Sequence, residues 1–248
     1  MKLIILAAGY ATRLYPLTLT QPKPLLEVAG KPILAHVLQH LRQTPELSSV
    51  TIISNHRFYD HFHVWAQHQQ SIDPALPIKV INDGSTDASN RLGAIGDLVF
   101  AIEKQSIDED IMVVAGDNLF SQDIQDFGAF CLEKKTPVLG VHDVGRLEHT
   151  KKYSEVHMNI EGQITSFEEK PQNPTTTVIG IALYFYPKAF LSQITQYVKD
   201  GNNADQPGRM IQWLYPRTPV HTWTLPGLWY DIGSKETLEE ANRIFINL

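Results

Sequence analysis

The feature that most constrains the fold is an apolar strand that runs directly into a loop of small residues near the N-terminus. Residues 3–26 read LIILAAGYATRLYPLTLTQPKPLL. The run from Leu3 to Leu6 is branched, unbroken and too short for a helix face, which is typical of a strand buried on both sides. Ala7, Ala8 and Gly9 follow, and small side chains let a ligand approach consecutive backbone N–H groups, which form an anion-binding nest. The stretch therefore predicts a phosphate-binding loop at the end of a buried strand.

Fixed positive charge lies just beyond the small residues. Arg13 and Lys23 provide it, and Pro16, Pro22 and Pro24 stiffen the connection that carries them. The alternative is an ordinary strand-to-loop turn whose basic side chains face water. Two other phosphate-binding signatures are excluded by spacing, because the chain here has neither the G-x-x-x-x-G-K-[ST] of a P-loop nor the glycines of a dinucleotide fingerprint.

Composition limits the partners and the compartment. The 248 residues suffice for one large α/β domain or at most two small ones. A net charge of −6 and a pI near 5.9 argue against nucleic acid or an anionic membrane as a partner, since both require a basic face. The single Cys131 fits a reducing cytosol, and the apolar run that ends by Ala8 is too short for an export signal. We therefore expect a cytoplasmic protein.

Strands and helices alternate in the first half of the chain. Helices are predicted over 32–41 and, after the stretch 92–97, through Lys104, and strands over 50–54, 78–82 and 111–118, an order that indicates parallel strands with right-handed crossovers. Residues 56–70 carry four histidines among aromatics, which predicts a solvated helix with half-buried aromatics, with a metal site as the alternative. Strands over 137–143, 155–159, 163–169 and 178–186 indicate a mixed or antiparallel second half. The C-terminal helix is expected to begin at a Ser234 cap.

An acidic residue ends the predicted strand over 111–118. Asp117 follows an apolar run, and ligands collect at the carboxyl ends of strands in open parallel sheets. Burying a carboxylate in that position costs free energy unless a cation or hydrogen-bond donors accompany it. The alternative is that Asp117 caps a turn through its own backbone.

Four separate motifs together resemble one known family. Residues 6–18, LAAGYATRLYPLT, followed by KPL at 23–25, resemble the signature of the sugar-phosphate nucleotidylyltransferases, with Ala11 at a position where that family most often has glycine. Further matches follow in order at 117–118, at Glu169-Lys170-Pro171 and at 229–233. The resemblance covers nearly the whole chain and implies an α/β fold with a Rossmann-like, mostly parallel mixed sheet flanked by helices. It also implies a single domain with a nucleotide-binding half over about 1–136. A smaller, antiparallel sugar-phosphate-binding half and the C-terminal helix would follow over about 137–248.

The resemblance also implies a reaction and a set of site residues. The reaction is NTP plus sugar 1-phosphate giving NDP-sugar plus pyrophosphate, with Mg²⁺ held by Asp117 and Asp231. The implied catalytic residues are Arg13, Lys23, Asp117 and Lys170. The implied nucleotide-binding residues are Leu6, Ala7, Ala8, Gly9, Arg13, Lys23, Asn90, Gly93 and Asp117. The implied sugar-phosphate-binding residues are Ser154, Glu169, Lys170 and Gly180. The base-reading glutamine of the family has no match at its usual spacing, and Asn82 and Asn90 are the candidates of the right chemistry.

Two other functions stay open at this level. A phosphocholine cytidylyltransferase has a similar fold, and Trp213, Trp223 and Trp229 could line a choline pocket. A regulatory subunit would bind nucleotide without turnover, although such subunits typically lose the charged groups that this chain keeps. The expected partners are an NTP and a sugar 1-phosphate, with no nucleic acid and no membrane, and a homo-oligomer is left open.

Overall fold

The computed structural model describes all residues, 1–248, as alternating strands and helices. The strands are Lys2–Leu6 (β1), Glu27–Val28 (β2), Lys31–Pro32 (β3), Ser49–Ser54 (β4), Ile78–Asn82 (β5), Ile111–Ala115 (β6), Asn118–Phe120 (β7), Val138–Asp143 (β8), Ser154–Met158 (β9), Ile164–Glu169 (β10), Val178–Tyr186 (β11), His221–Thr224 (β12) and Trp229–Asp231 (β13). The helices are Ile33–Leu41 (α1), Tyr59–Ile72 (α2), Ala94–Lys104 (α3), Gln125–Lys134 (α4), Leu147–Thr150 (α5), Leu191–Lys199 (α6), Pro207–Leu214 (α7) and Lys235–Phe245 (α8). No helix is both long and apolar enough to cross a bilayer.

The main sheet has seven strands in the order β12-β8-β11-β6-β1-β4-β5. β1 pairs in parallel with β4, β4 with β5, and β12 with β8, whereas β11 runs antiparallel to β8. Leu3, Ile4 and Ile5 are completely buried, as expected for a strand with helices on both faces. The predicted α/β fold with a mostly parallel, mixed sheet and smaller antiparallel pieces is confirmed.

The chain divides into two compact units, each built from separated stretches. The first comprises Met1–Leu92, Val114–Gln125 and Pro226–Leu248, and the second comprises Gly93–Val113 and Asp126–Leu225. The expectation of a single domain with halves meeting near residue 136 stays a prediction.

The C-terminal helix α8 closes the first unit. The Thr237 N–H donates to Ser234 Oγ at 3.2 Å and the Ser234 N–H donates to Thr237 Oγ1 at 3.0 Å, a reciprocal cap that confirms the predicted start of the helix. Ala241 and Phe245 are buried in the apolar cluster that also contains Leu14, just after the loop of small residues. Burial of this face of α8 anchors the N-terminal loop region to the end of the chain.

Several predicted boundaries need correction. The strand over 111–118 is interrupted, because β6 ends at Ala115 and Gly116 and Asp117 form a turn before β7. The sequence from 203 to 208 is typical of a turn before an apolar helix, but α7 already begins at Pro207, since proline is well suited to the first helical position. In the histidine-rich segment, Tyr59 and Trp65 are half-buried as predicted, whereas Phe58 and Phe62 are fully buried.

Candidate active site

The small-residue loop after β1 is tied down through its backbone. The Ala7 N–H donates to the Ile53 carbonyl at 2.9 Å, and the Asn55 amide donates to the Ala8 carbonyl at 2.9 Å. Gly9 is exposed, and a Cβ built there would meet no atom within 4 Å. Neither backbone conformation nor protein packing therefore requires glycine at this position, whereas close approach of a ligand to the backbone would.

The loop departs at Ala11 from the motif that it resembles, and the structure accommodates the change. Ala11 has φ of 47°, in the left-handed region that glycine occupies freely and that costs other residues about 1–2 kcal/mol. Its carbonyl accepts hydrogen bonds from the Leu14 N–H at 3.0 Å and from Thr18 Oγ1 at 2.8 Å. These bonds hold the turn in the shape that a glycine would adopt.

Two aspartates far apart in the sequence meet at the end of the sheet. Asp117 lies in the turn after β6, next to Gly116, whose N–H donates to the Leu6 carbonyl at 2.9 Å. Antiparallel pairing of β13 with β7 places Asp231 opposite Asn118. The carboxylate pair thus lies beside the end of β1, where the small-residue loop begins.

Lys23 connects these two carboxylates. Its Nζ lies 2.6 Å from Asp117 Oδ2 and 3.6 Å from Asp231 Oδ1, and its side chain is only 11% exposed. Lys23 belongs to a short 3-10 turn, Lys23–Leu25, and Pro24 of that turn lies so close to Gly116 that a Cβ there would be 3.1 Å from Pro24 Cγ. The turn therefore packs directly under the aspartate-bearing loop.

The electrostatics of this cluster favour a further cation. Burial tends to lower the pKa of Lys23, but the charges of Asp117 and Asp231 outweigh it, so the pKa is raised. Burial, and next the charge of Asp117, raise the pKa of Asp231, although Lys23 and Arg13 oppose the rise. Burial and the charge of Asp117 disfavour the ionised form of Asp231. A positive charge added beside the two carboxylates would stabilise that ionised form.

Arg13 lies near the cluster without joining it. It sits on the 3-10 turn Thr12–Leu14, is exposed, and has no hydrogen bond or ion pair with the rest of the chain. Its charge nevertheless opposes the rise in the pKa of Asp231, so the guanidinium is within electrostatic reach. A free planar guanidinium can donate two parallel hydrogen bonds to an anion.

The donor set in this cluster fits a hard divalent cation. Carboxylate oxygens are the ligands that Mg²⁺ uses in proteins, and it is commonly bound through one or two of them together with substrate phosphates. No group of three or more His, Cys, Asp and Glu side chains converges anywhere in the structure. Asp117 and Asp231 would accordingly share such an ion with a phosphate ligand.

The other implied nucleotide-binding residues have clear local roles. Asn90 Oδ1 accepts from the Thr86 and Asp87 N–H groups at 3.0 and 3.2 Å, so this side chain organises its own turn. Gly93 has φ of 81° and lies so close to Ala204 O that a Cβ would be 2.7 Å from it. Contact with nucleotide at either residue stays a prediction.

In the second unit, the implied sugar-phosphate residues gather around the hairpin of β9 and β10. Glu169 pairs with Ser154 across the hairpin, and the Gly180 N–H donates to Ser154 Oγ at 2.9 Å. Lys170 follows with φ of 54°, is exposed, and its N–H donates to the Tyr153 carbonyl at 2.7 Å. Because Lys170 adopts this left-handed backbone conformation, the chain turns away from the direction of β10 at this residue.

The Glu169 carboxylate is half-buried and forms no hydrogen bond with the chain. Burial raises its pKa, and the charges of Lys170 and Arg209 oppose the rise. Partly buried carboxylates are normally hydrogen-bonded, so its acceptor capacity is available to a ligand.

Sequence reasoning missed the residues that support these side chains. Asn55 and Gly116 hold the loops of the first unit, Gly208 on α7 lies against Glu169, and the charge of Arg209 on α7 acts on the pKa of Glu169. Gly208 carried a signal, since glycine is a poorer helix former than alanine. The other three give no local pattern.

A loop of small residues at the end of β1, a carboxylate pair bridged by a lysine and an arginine without a partner form a site of the kind found in proteins that handle phosphate groups. Within that class, the chain belongs to the nucleotidyl transferase family, whose model matches residues 2–247.

The relatives have named activities. The chain is 26% identical over 248 residues to the bifunctional protein GlmU of Methanocaldococcus jannaschii, covering 100% of this chain and 55% of that protein. It is 27% identical over 252 residues to the mannose-1-phosphate guanylyltransferase catalytic subunit beta of Dictyostelium discoideum, covering 100% and 65%. The chain thus spans little more than half to two thirds of the length of these relatives.

Solved structures share the fold. A putative glucose-1-phosphate thymidylyltransferase from Bacillus anthracis, in complex with a sucrose, superposes with a TM-score of 0.80 at 23% identity, covering 100% of this chain and 96% of that one. A UDP-glucose pyrophosphorylase complexed with UDP-glucose superposes with a TM-score of 0.81 at 18% identity, covering 99% and 98%.

Proposed function

We propose that this chain transfers a nucleoside monophosphate from an NTP to a sugar 1-phosphate in the presence of Mg²⁺, giving an NDP-sugar and pyrophosphate. The observation that carries the proposal is the cluster of Lys23, Asp117 and Asp231, in which Nζ lies 2.6 and 3.6 Å from the two carboxylates. This cluster adjoins the end of β1 through the bond from Gly116 to Leu6. Membership of the nucleotidyl transferase family and the named activities of the relatives support the same reaction.

The chemistry requires charge neutralisation rather than a protein nucleophile. An oxygen of the sugar phosphate attacks the α-phosphorus of the NTP, the bond from that phosphorus to the bridging oxygen breaks, and pyrophosphate leaves with the electron pair. Two anions must be brought together in line, so positioning and electrostatic stabilisation dominate the catalysis.

Within the first unit, each charged side chain has a distinct part. Lys23 steadies the nucleotide phosphates while it remains paired with Asp117. Arg13, whose guanidinium is unoccupied, stabilises the charge that develops on pyrophosphate. Asp117 and Asp231 would hold Mg²⁺, which when bound neutralises phosphate oxygens as a Lewis acid. The backbone from Leu6 to Gly9 receives the phosphates.

Within the second unit, Lys170 holds the attacking phosphate and Glu169 accepts hydrogen bonds from sugar hydroxyls. Ser154 and Gly180 form the wall beside them. Both the exposed position of Lys170 and the unbonded carboxylate of Glu169 support these roles.

The phosphocholine alternative is less favoured by the surroundings of the tryptophans. A choline site needs an aromatic face open to a quaternary ammonium. Arg217 already lies over the Trp213 ring at 4.4 Å, and Trp223 packs edge-on against Phe127 at 5.3 Å. A guanidinium on one of these rings repels a second cation. The silent-subunit alternative is less favoured because Arg13, Lys23 and both aspartates are all present.

We place the reaction in the cytoplasm, with an NTP and a sugar 1-phosphate as partners. The net charge of −6 disfavours nucleic acid and anionic membranes, and the buried free thiol of Cys131 suits a reducing compartment. Whether the protein forms a homo-oligomer can be tested by sedimentation equilibrium of the purified protein.

The function is tested by pyrophosphate release with Mg²⁺ across a grid of the common NTPs against glucose, mannose, galactose and N-acetylglucosamine 1-phosphates, with phosphocholine included. The proposal expects one or a few productive pairs with sugar phosphates, which also identify the base and the sugar. Release with phosphocholine and CTP alone, or nucleotide binding with no release across the grid, would contradict it.

A further inference from the structure

The first turn of α7 contains a glycine that its helix does not need. Gly208 is buried, follows Pro207, and has an ordinary helical backbone, so no special φ requires glycine there. In a helix, glycine is unfavourable by about 1 kcal/mol relative to alanine. Its presence therefore calls for a reason outside the helix.

The reason is the Glu169 carboxylate. A Cβ at Gly208 would overlap Glu169 Oε2, would lie 2.9 Å from its Cδ, and would lie 3.2 Å from Phe167 Cζ. The carboxylate thus occupies the space that any side chain at position 208 would fill. It rests on the first turn of α7, where the helix dipole favours negative charge.

We propose that Gly208 is the positioning residue that seats Glu169 for recognition of the sugar hydroxyls. The inference rests on the proposed function, because Glu169 matters only if a sugar is bound. The contact is with the flexible far end of a side chain rather than with backbone. A methyl group at 208 would displace Glu169 at little cost to the fold, while the helix gains the propensity of alanine.

The charge of Arg209 acts on the pKa of Glu169 in the direction opposite to burial. Burial raises the pKa of Glu169, and the Arg209 and Lys170 charges counter that rise. The charge of Glu169 in turn contributes to the raised pKa of Tyr184, which is buried and whose pKa lies well above the usual range, mainly because of that burial. The positive charges of Arg209 and Lys170 favour the ionised carboxylate against the effect of burial, and an ionised carboxylate accepts hydrogen bonds from hydroxyl groups.

The test is direct binding of the sugar 1-phosphate that the wild-type protein uses, measured by titration calorimetry for wild type, Gly208→Ala and Glu169→Ala. We expect Gly208→Ala to weaken binding about 10- to 100-fold, the loss of one charged hydrogen bond, and to match Glu169→Ala. Nucleotide binding should change less than about twofold, and thermal unfolding should not move downward. In the Gly208→Ala background, Glu169→Ala should cause no further loss.

Gly162→Ala is the matched control. Gly162 lies at the far turn of the same hairpin with φ of 77°, so alanine is strained there, but its Cβ would meet nothing closer than 3.7 Å. It should lower stability and leave sugar-phosphate affinity unchanged. Wild-type affinity in Gly208→Ala, or additive losses in the double variant, would overturn the inference. Absence of sugar-phosphate binding in the wild type would instead overturn the proposed function.

Discussion

At the scale of single residues, Arg13 is the side chain whose role is most open to test. It has no partner in the chain and faces solvent, so its removal should leave the fold intact. We expect Arg13→Ala to lower kcat by about 100-fold or more with little change in nucleotide affinity, as for loss of one transition-state donor. Steady-state kinetics and nucleotide titration measure both. The exposed Arg243 on α8 provides the control, since Arg243→Ala should be silent, and unchanged kcat in Arg13→Ala would remove the residue from catalysis.

Glu169 gives a prediction that links the site to stability. Burial raises its pKa in the folded state above the unfolded value, against the charges of Lys170 and Arg209. The folded state then holds the proton more tightly, so this group favours folding at low pH and loses that contribution as pH rises through the raised pKa. Glu169→Gln should therefore raise Tm at pH 7 and show little difference near pH 4, while weakening sugar-phosphate binding. Thermal unfolding across that pH range checks it, and a lower Tm at pH 7 would contradict it.

At the scale of secondary-structure elements, α8 depends on its cap. Ser234 and Thr237 exchange hydrogen bonds at the start of the helix. Ser234→Ala should lower the free energy of unfolding by about 1 kcal/mol. Urea unfolding measures the change, with the exposed Ser192 on α6 as the matched control. Equal stability of Ser234→Ala and Ser192→Ala would show that the cap contributes nothing.

Some secondary-structure elements of this protein can be predicted from its sequence and others cannot. β1, β5, α3 and β11 follow from apolar runs and helical periodicity, because burial imposes those patterns locally. β7 and β13 are three residues each and pair only with one another, so no periodicity marks them. The interruption at Gly116 depends on packing under Pro24, which is a contact over a long stretch of chain.

At the scale of the whole molecule, the chain leaves its first unit twice and returns to it twice. Asp231 reaches Asp117 only because Pro226–Leu248 returns to the unit formed by the N-terminal residues. The order of the four motifs predicted that Asp117 and Asp231 belong to the site. The ion pairs of Lys23 and the packing of Glu169 against α7 could not be predicted from motifs. Such contacts join residues whose neighbours in sequence carry no shared pattern.

Asp117, Asp231 and Lys23 are proposed to form a cation-dependent phosphate site that performs nucleotidyl transfer. Pyrophosphate release by wild type and Asp117→Asn as a function of Mg²⁺ concentration tests this, with circular dichroism to verify the fold. We expect saturable Mg²⁺ dependence in the wild type and no Mg²⁺-dependent release in a folded Asp117→Asn. An Asp117→Asn protein as active as wild type, with the same Mg²⁺ dependence, would contradict it.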